Sequence, residues 1–212
     1  MIRIGPAGLG GVKEAVSNLQ GFAKKGIRAC EIAFTYGAYI KEQDAPEIKN
    51  AAQDLDINLS IHAPYWINLN SDDKKKLEMS KHRILDSCRI GDKLGAKYVV
   101  FHPGYYGKDK DETFDNIKSA VIEIKERISS EGWQCDAIPE TMGKVNVFGS
   151  IDEILKLVKE TKCFFCIDFA HLTARSNGKM GYKEMYERVA GFKNLHCHFS
   201  GIVYGDKGEK HH

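Results

Sequence analysis

The chain has 212 residues, 42% of them hydrophobic and 28% charged. That length accommodates one sizeable core, and no apolar stretch approaches the roughly 20 residues that a membrane-spanning helix requires. With 31 basic and 29 acidic side chains, the formal net charge of +2 neither demands nor excludes a nucleic-acid partner. The opening "MIRIGPAGLGG" lacks the basic and apolar regions of a secretory signal, so a cytoplasmic protein is expected.

Short apolar runs alternate with longer amphipathic ones. Residues 2–4 (IRI) read as a first strand. "GVKEAVSNLQGFAKKG" repeats apolar residues at Val12, Ala15, Val16, Leu19, Phe22 and Ala23 and stops at Gly26, a helix pattern. Strand candidates follow at 28–34, 58–63 and 97–102. Before the last of these, residues 71–95 predict a helix with Ser71 as N-cap and an acidic first turn. The next helix aligns Phe114, Ile117, Val121, Ile124 and Ile128 and ends at Gly132. A strand at 135–140 leads to "SIDEILKLVKET", whose Ser150 and Glu153 form a capping-box pattern. Further strands are expected at 163–170 and 194–200. The six cysteines are scattered. For "CFFC" at 163–166 packing is favoured over redox or zinc chemistry, because strand positions i and i+3 face opposite ways and no second pair exists.

This alternation is a repeated βα unit, with parallel strands recurring about every 30 residues. "GPAGLGG" contains no G-x-G-x-x-G, which argues against a dinucleotide-binding open sheet. Seven units favour an α/β TIM (β/α)8-type barrel lacking its eighth βα unit. The expectation is a single metal-dependent barrel domain over residues 1–212, C-terminally incomplete and open at one edge.

In such barrels chemistry gathers at the C-terminal strand ends. Those positions hold His62, His102, Glu140, Asp168 and His198. His171 lies just past its strand, and His211 is expected in a terminal loop. A lone strand-end histidine is usually structural, and Glu140 or Asp168 alone could be a helix-terminal charge or a salt-bridge partner. Five consecutive strands each ending in a metal-ligating side chain argue jointly for a metal site. Imidazole with carboxylate suits zinc, manganese or iron(II). Pro64, and Pro103 with Gly104, turn the chain just after a histidine.

The motifs "SIHAPYWINL", "FHPG", "IPETMG", "CIDFAH", "HCHFSG" and "GEKHH" resemble, in order and approximate spacing, those of endonuclease IV, a metal-dependent apurinic/apyrimidinic DNA endonuclease with a xylose-isomerase-like barrel. The resemblance implies that His62, His102 and Glu140 hold one zinc. Glu140 would bridge to a second zinc held by Asp168 and His198. A third would be held by His171, Glu209 and His211. The family has aspartate at the Glu209 position, with Asp206 a nearby alternative, and the terminal histidines also fit a tag remnant. A metal-binding glutamate that the family takes from strand 8 has no counterpart here.

The resemblance also implies that Tyr65 and Trp66 form the wedge inserted into DNA, although their residue types fit packing equally well. Tyr39 replaces a family arginine as a stacking contact. Tyr105 and Tyr106 read best as turn residues. Lys108, Lys110, Arg175 and Lys179 are loop candidates for phosphate contacts, though each alone fits a solvated surface better. Two or three Zn2+ ions are implied, Mn2+ being possible, with Glu140 as the central catalytic ligand. The implied partner is double-stranded DNA containing abasic sites, cleaved on the 5′ side of the lesion by a monomer. The alternatives are a single-metal sugar isomerase or epimerase on the same barrel, or an inactive truncated form.

Overall fold

Six of the expected strands form where the apolar runs stand. In the computed structural model, which describes residues 2–211, they are β1 (Ala29–Ala33), β2 (Asn58–His62), β3 (Tyr98–Phe101), β4 (Asp136–Pro139), β5 (Cys166–Asp168) and β6 (His196–His198). The helices are α1 (Ala15–Lys24), α2 (Ala45–Asp54), α3 (Lys74–Leu94), α4 (Lys110–Ser130), α5 (Ile151–Thr161), α6 (Phe169–Arg175) and α7 (Tyr182–Val189). Strand–helix alternation with parallel pairing is the TIM-barrel-like α/β pattern. The chain divides into two compact units. One takes the residues up to Ile67, then Glu78–Phe101 and Glu123–Ala137; the other takes Asn68–Leu77, His102–Ile122 and the residues from Ile138 on.

In the first unit β1 and β2 pair in parallel from Ala29↔Asn58 to Ala33↔His62, and β2 continues onto β3 through Ile61↔Val99 and His62↔Val100. Asp136 brings β4 in beside β3 by donating its N–H to the Lys97 carbonyl at 3.0 Å. Every residue of β3 is buried. A parallel strand is covered on both faces, which is why "YVVF" is continuously apolar instead of alternating. Leu19 of α1 and Ile48 and Ala52 of α2 are buried with Ile32, Ile61 and Val99.

The segment before β1 departs from expectation. Residues 2–4 form no strand, and Ile2 and Ile4 are exposed. Contact with β1 falls later, at the isolated parallel bridge Ala7↔Glu31 and at Glu31 N–H to the Pro6 carbonyl. Pro6 carries no N–H and cannot extend a ladder.

In the second unit β5 and β6 pair in parallel, and β4 is continued by the bridge Glu140↔Cys166. The terminal residues form an antiparallel hairpin, β7 (Val203–Gly205) and β8 (Gly208–His211), so His211 lies in a strand instead of a loop. The N-cap of α3 also differs from expectation. Asp73, not Ser71, accepts from the N–H groups of Lys75 and Lys76 at 2.9 and 3.3 Å, because the helix opens at Lys74. After His102 the chain turns through Gly104, at φ +132°, where an added Cβ would lie 2.4 Å from Asn68 Oδ1 and 2.9 Å from Asn68 Cα.

The capping box of α5 is present: Ser150 Oγ accepts from Glu153 N–H at 3.3 Å, and Glu153 Oε2 accepts from Ser150 N–H at 2.9 Å. Tyr106 O–H also donates to Glu153, at 2.7 Å. Burial pushes the Glu153 carboxyl up, but hydrogen bonds from Ser150, Tyr106 and backbone N–H groups outweigh it and hold the group below its ordinary value. A carboxylate lowered in this way stabilises the fold above its unfolded-state pKa, and the contribution is lost as pH falls through the folded-state pKa. Ser150→Ala is expected to cost about 1 kcal/mol in urea unfolding. The stability gap between wild type and Glu153→Gln should be full at neutral pH and close on acidification; a pH-independent gap would contradict this origin.

Candidate metal centre

The second unit brings together His102, Glu140, Asp168, His171, His198 and Glu209. Four of them come from strand ends: His102 follows β3, Glu140 follows β4, Asp168 ends β5 and His198 ends β6. Glu140 is 1% exposed and sits at the centre. Its Oε2 lies 2.9 Å from His102 Nε2 and its Oε1 lies 2.7 Å from His198 Nδ1. The two carboxylate oxygens thus engage different imidazoles.

Asp168 and His171 are each 3% exposed. Asp168 caps α6 by accepting the His171 N–H at 2.6 Å through Oδ1. Its Oδ2 lies 3.8 Å from His171 Nδ1 and 3.9 Å from His198 Nδ1. Helix capping and membership of the cluster are therefore both true of this carboxylate. His171 Nδ1 also lies 2.8 Å from the Thr141 carbonyl. A carbonyl only accepts, which assigns the proton to Nδ1 and leaves the Nε2 lone pair as a ligand. That Nε2 is 3.6 Å from Glu209 Oε2. Thr141 acts twice, because its Oγ1 accepts the Asp168 N–H at 2.9 Å.

A cation fits this donor set. The 3.6 Å from His171 Nε2 to Glu209 Oε2 and the 3.9 Å from His198 Nδ1 to Asp168 Oδ2 are too long for hydrogen bonds, yet ligands around one tetrahedral zinc stand roughly 3.5 Å apart. One donor atom each from Glu140, Asp168 and His171 lie within 4.8 Å of one another. Burial raises the pKa of Asp168; His171 pulls it down, and the Glu140 charge adds to the rise. Burying two carboxylates side by side costs several kcal/mol per ion without a compensating charge, and a divalent ion supplies one.

Glu209 holds its place through the backbone. Its N–H donates to the Gly143 carbonyl at 3.1 Å, and Val145 N–H donates to the Lys207 carbonyl at 3.3 Å, which docks the hairpin on the loop after β4. Arg175 ties that loop down. Its guanidinium donates to the carbonyls of Met142, Lys144 and Val147 and to Tyr106 Oη. Arg175 thus ends α6 as a structural clamp, not a loop residue offered to phosphate. Asp206 accepts from Asn177 Nδ2 at 3.3 Å, so Glu209 is the carboxylate that reaches His171. His211 is exposed, two residues along β8 from Glu209, with a register shift of the hairpin between them: Glu209 pairs with Tyr204 and His211 with Val203.

The remaining expected residues belong to the first unit. His62 ends β2, is buried, and places Nδ1 2.8 Å from the Ala63 carbonyl. Tyr65 and Trp66 are 50% and 66% exposed. The Tyr65 ring is tilted against His62 at 5.2 Å. Tyr39 is 40% exposed and donates its O–H to the Gly10 carbonyl at 2.9 Å. Sequence reasoning missed Thr141, the Arg175 clamp and a set comprising Cys166, His196 and His198. For Thr141 the sequence offers no signal beyond its position after Glu140.

Gly143 leaves room for this packing. A Cβ there would stand 2.9 Å from Glu209 Oε2 and 3.0 Å from His171 Cδ2. Gly143→Ala is expected to weaken zinc binding about 10–100-fold with little change in circular dichroism; unchanged affinity by competition with a chelating dye would show that Glu209 and His171 do not bind ions.

The family model described as "Xylose isomerase-like TIM barrel" matches residues 19–212. An uncharacterized protein of Methanocaldococcus jannaschii is 40% identical, covering 89% of this chain and 72% of its own length. A "Probable endonuclease 4" of Mycoplasmoides gallisepticum is 42% identical over 77% of this chain, but the chain spans only 57% of that relative. Among solved structures, endonuclease IV from Thermus thermophilus superposes with TM-score 0.61 at 20% identity, covering 79% of this chain and 62% of that one. An L-ribulose 3-epimerase superposes with TM-score 0.73 at 12% identity, covering 99% of this chain and 84% of that one. At such identities the superpositions speak for the fold alone. The extent of the family match and the 40%-identical relative show that this chain belongs to the xylose isomerase-like TIM barrel family.

Proposed function

We propose that the chain is the metal-dependent core of an endonuclease IV-type enzyme, hydrolysing the phosphodiester on the 5′ side of abasic sites in duplex DNA. The observation that carries the reading is Glu140, buried with each carboxylate oxygen on a different histidine and with Asp168 and His171 beside it. An epimerase site of the same barrel needs one ion, whereas this set has donors to spare. The endonuclease 4 relatives add support from sequence.

In this reading His102, Glu140, Asp168, His171, His198 and Glu209 are metal ligands, and the sequence motifs extend the set to His62 and His211. Two or three zinc or manganese ions held there would supply Lewis acidity and lower the pKa of a water for phosphodiester hydrolysis. Glu140 holds its neighbouring imidazoles in register. Thr141 keeps the His171 Nε2 lone pair available. Asp168 stays aimed at the cluster because its other oxygen is fixed to the start of α6. The exposed rings of Tyr65, Trp66 and Tyr39 are proposed to stack against DNA. A nucleotide without its base is held less firmly in the helix and costs less to flip out.

The test is incision of a labelled duplex carrying one abasic site. Cutting on the 5′ side of the lesion is expected, abolished by a chelator and restored by zinc or manganese. Replacing a residue that merely supports a ligand costs about 10–100-fold, so Glu140→Gln, which alters a ligand itself, should cost about 100-fold or more. Trp66→Ala should weaken binding of the abasic duplex more than it changes turnover. Intact DNA at full metal loading would refute the assignment, and a single ion per chain with epimerisation of a ketose would favour the sugar-enzyme alternative.

A further inference from the structure

The face that carries Asp168 and His198 also carries a second set of donors. Strands β5 and β6 pair with Cys166 opposite His196 and Asp168 opposite His198. Strand alternation puts Cys166, Asp168, His196 and His198 on one face and Ile167 and Cys197 on the other. One residue pair before the carboxylate–histidine layer therefore lies a thiol–histidine layer. The Cys166 thiol and one ring nitrogen each from His196 and His198 lie within 4.8 Å of one another. The two imidazole rings meet edge to face with centroids 5.3 Å apart. Cys166 is fully buried.

We propose that Cys166, His196 and His198 form a separate site for a thiophilic divalent cation of the zinc class, linked to the Glu140 cluster through His198. A sulfur with two imidazoles is a softer donor set than carboxylates, selecting zinc or cobalt over magnesium or manganese. Zinc holds sulfur at about 2.3 Å and imidazole nitrogen at about 2.0 Å, so its ligands stand roughly 3.5 Å apart. The donors lie within 4.8 Å of one another, so ion binding draws them together by about 1 Å at most. Binding converts the Cys166 thiol to a thiolate and releases one proton to solvent. The three residues leave a fourth tetrahedral position for water. The inference does not depend on the phosphodiesterase reading, and the two are tested by different signals.

The probe is cobalt(II), added to the whole chain and followed by absorbance. Thiolate-to-cobalt charge transfer absorbs in the near ultraviolet, where imidazole and carboxylate ligands give no comparable band. The band is expected to rise and saturate with cobalt. Cys166→Ser should abolish it while the visible bands of cobalt held by other residues remain. His196→Asn, at a half-buried position, should shift its midpoint by about tenfold or more. No near-ultraviolet band at saturating cobalt, or a band undiminished in Cys166→Ser, would overturn the proposal. If Cys166→Ser fails to fold, an unchanged titration of His196→Asn overturns it equally.

Discussion

The site is organised by one buried carboxylate. Glu140 has almost no solvent exposure, and its two oxygens point to His102 and His198. A charge so placed is costly unless other groups compensate it. The neighbouring elements supply those groups: β5 and α6 bring Asp168 and His171, β6 brings His198, and the hairpin brings Glu209. Side chains from the ends of parallel strands are joined there by residues of α6 and of the hairpin.

Rigidity is added around that carboxylate by backbone contacts. Thr141, directly after Glu140, accepts the Asp168 N–H and presents its carbonyl to His171. The next residues form the loop to which the hairpin docks, and Arg175 secures that loop from the end of α6. Arg175 also donates to the Tyr106 hydroxyl, which in turn donates to the Glu153 capping carboxylate of α5. A helix cap and a ligand-bearing loop therefore share one hydrogen-bonded chain. Gly149 adds a second link, donating its N–H to Glu153 Oε2 at 3.2 Å and accepting the Met142 N–H at 2.7 Å, so fold stability at this cap and placement of the ligand-bearing loop are coupled.

Much of this was readable in advance, for a physical reason. Chemistry in such barrels gathers at the C-terminal ends of the strands, so His102, Glu140, Asp168 and His198 could be named from the apolar runs they close. The Ser150 capping box was equally legible, because its two partners are three residues apart. What could not be read depends on contacts between distant segments. Arg175 looked like an exposed cation until the carbonyls of Met142, Lys144 and Val147 were brought to it. Residues 2–4 looked like a strand, but Pro6 moves the contact with β1 further along the chain. Cys166 was read with Cys163 along the chain, whereas its register partner across the sheet is His196.

The central claim is that Glu140, Asp168 and the histidines of this cluster share bound cations. Anomalous diffraction from zinc-soaked crystals tests it most directly. The account predicts at least one strong peak within coordination distance of a Glu140 carboxylate oxygen, with Asp168, His171 or His198 as co-ligands. Fully soaked crystals with no peak near Glu140, and with its oxygens still hydrogen-bonded to His102 and His198, would contradict it.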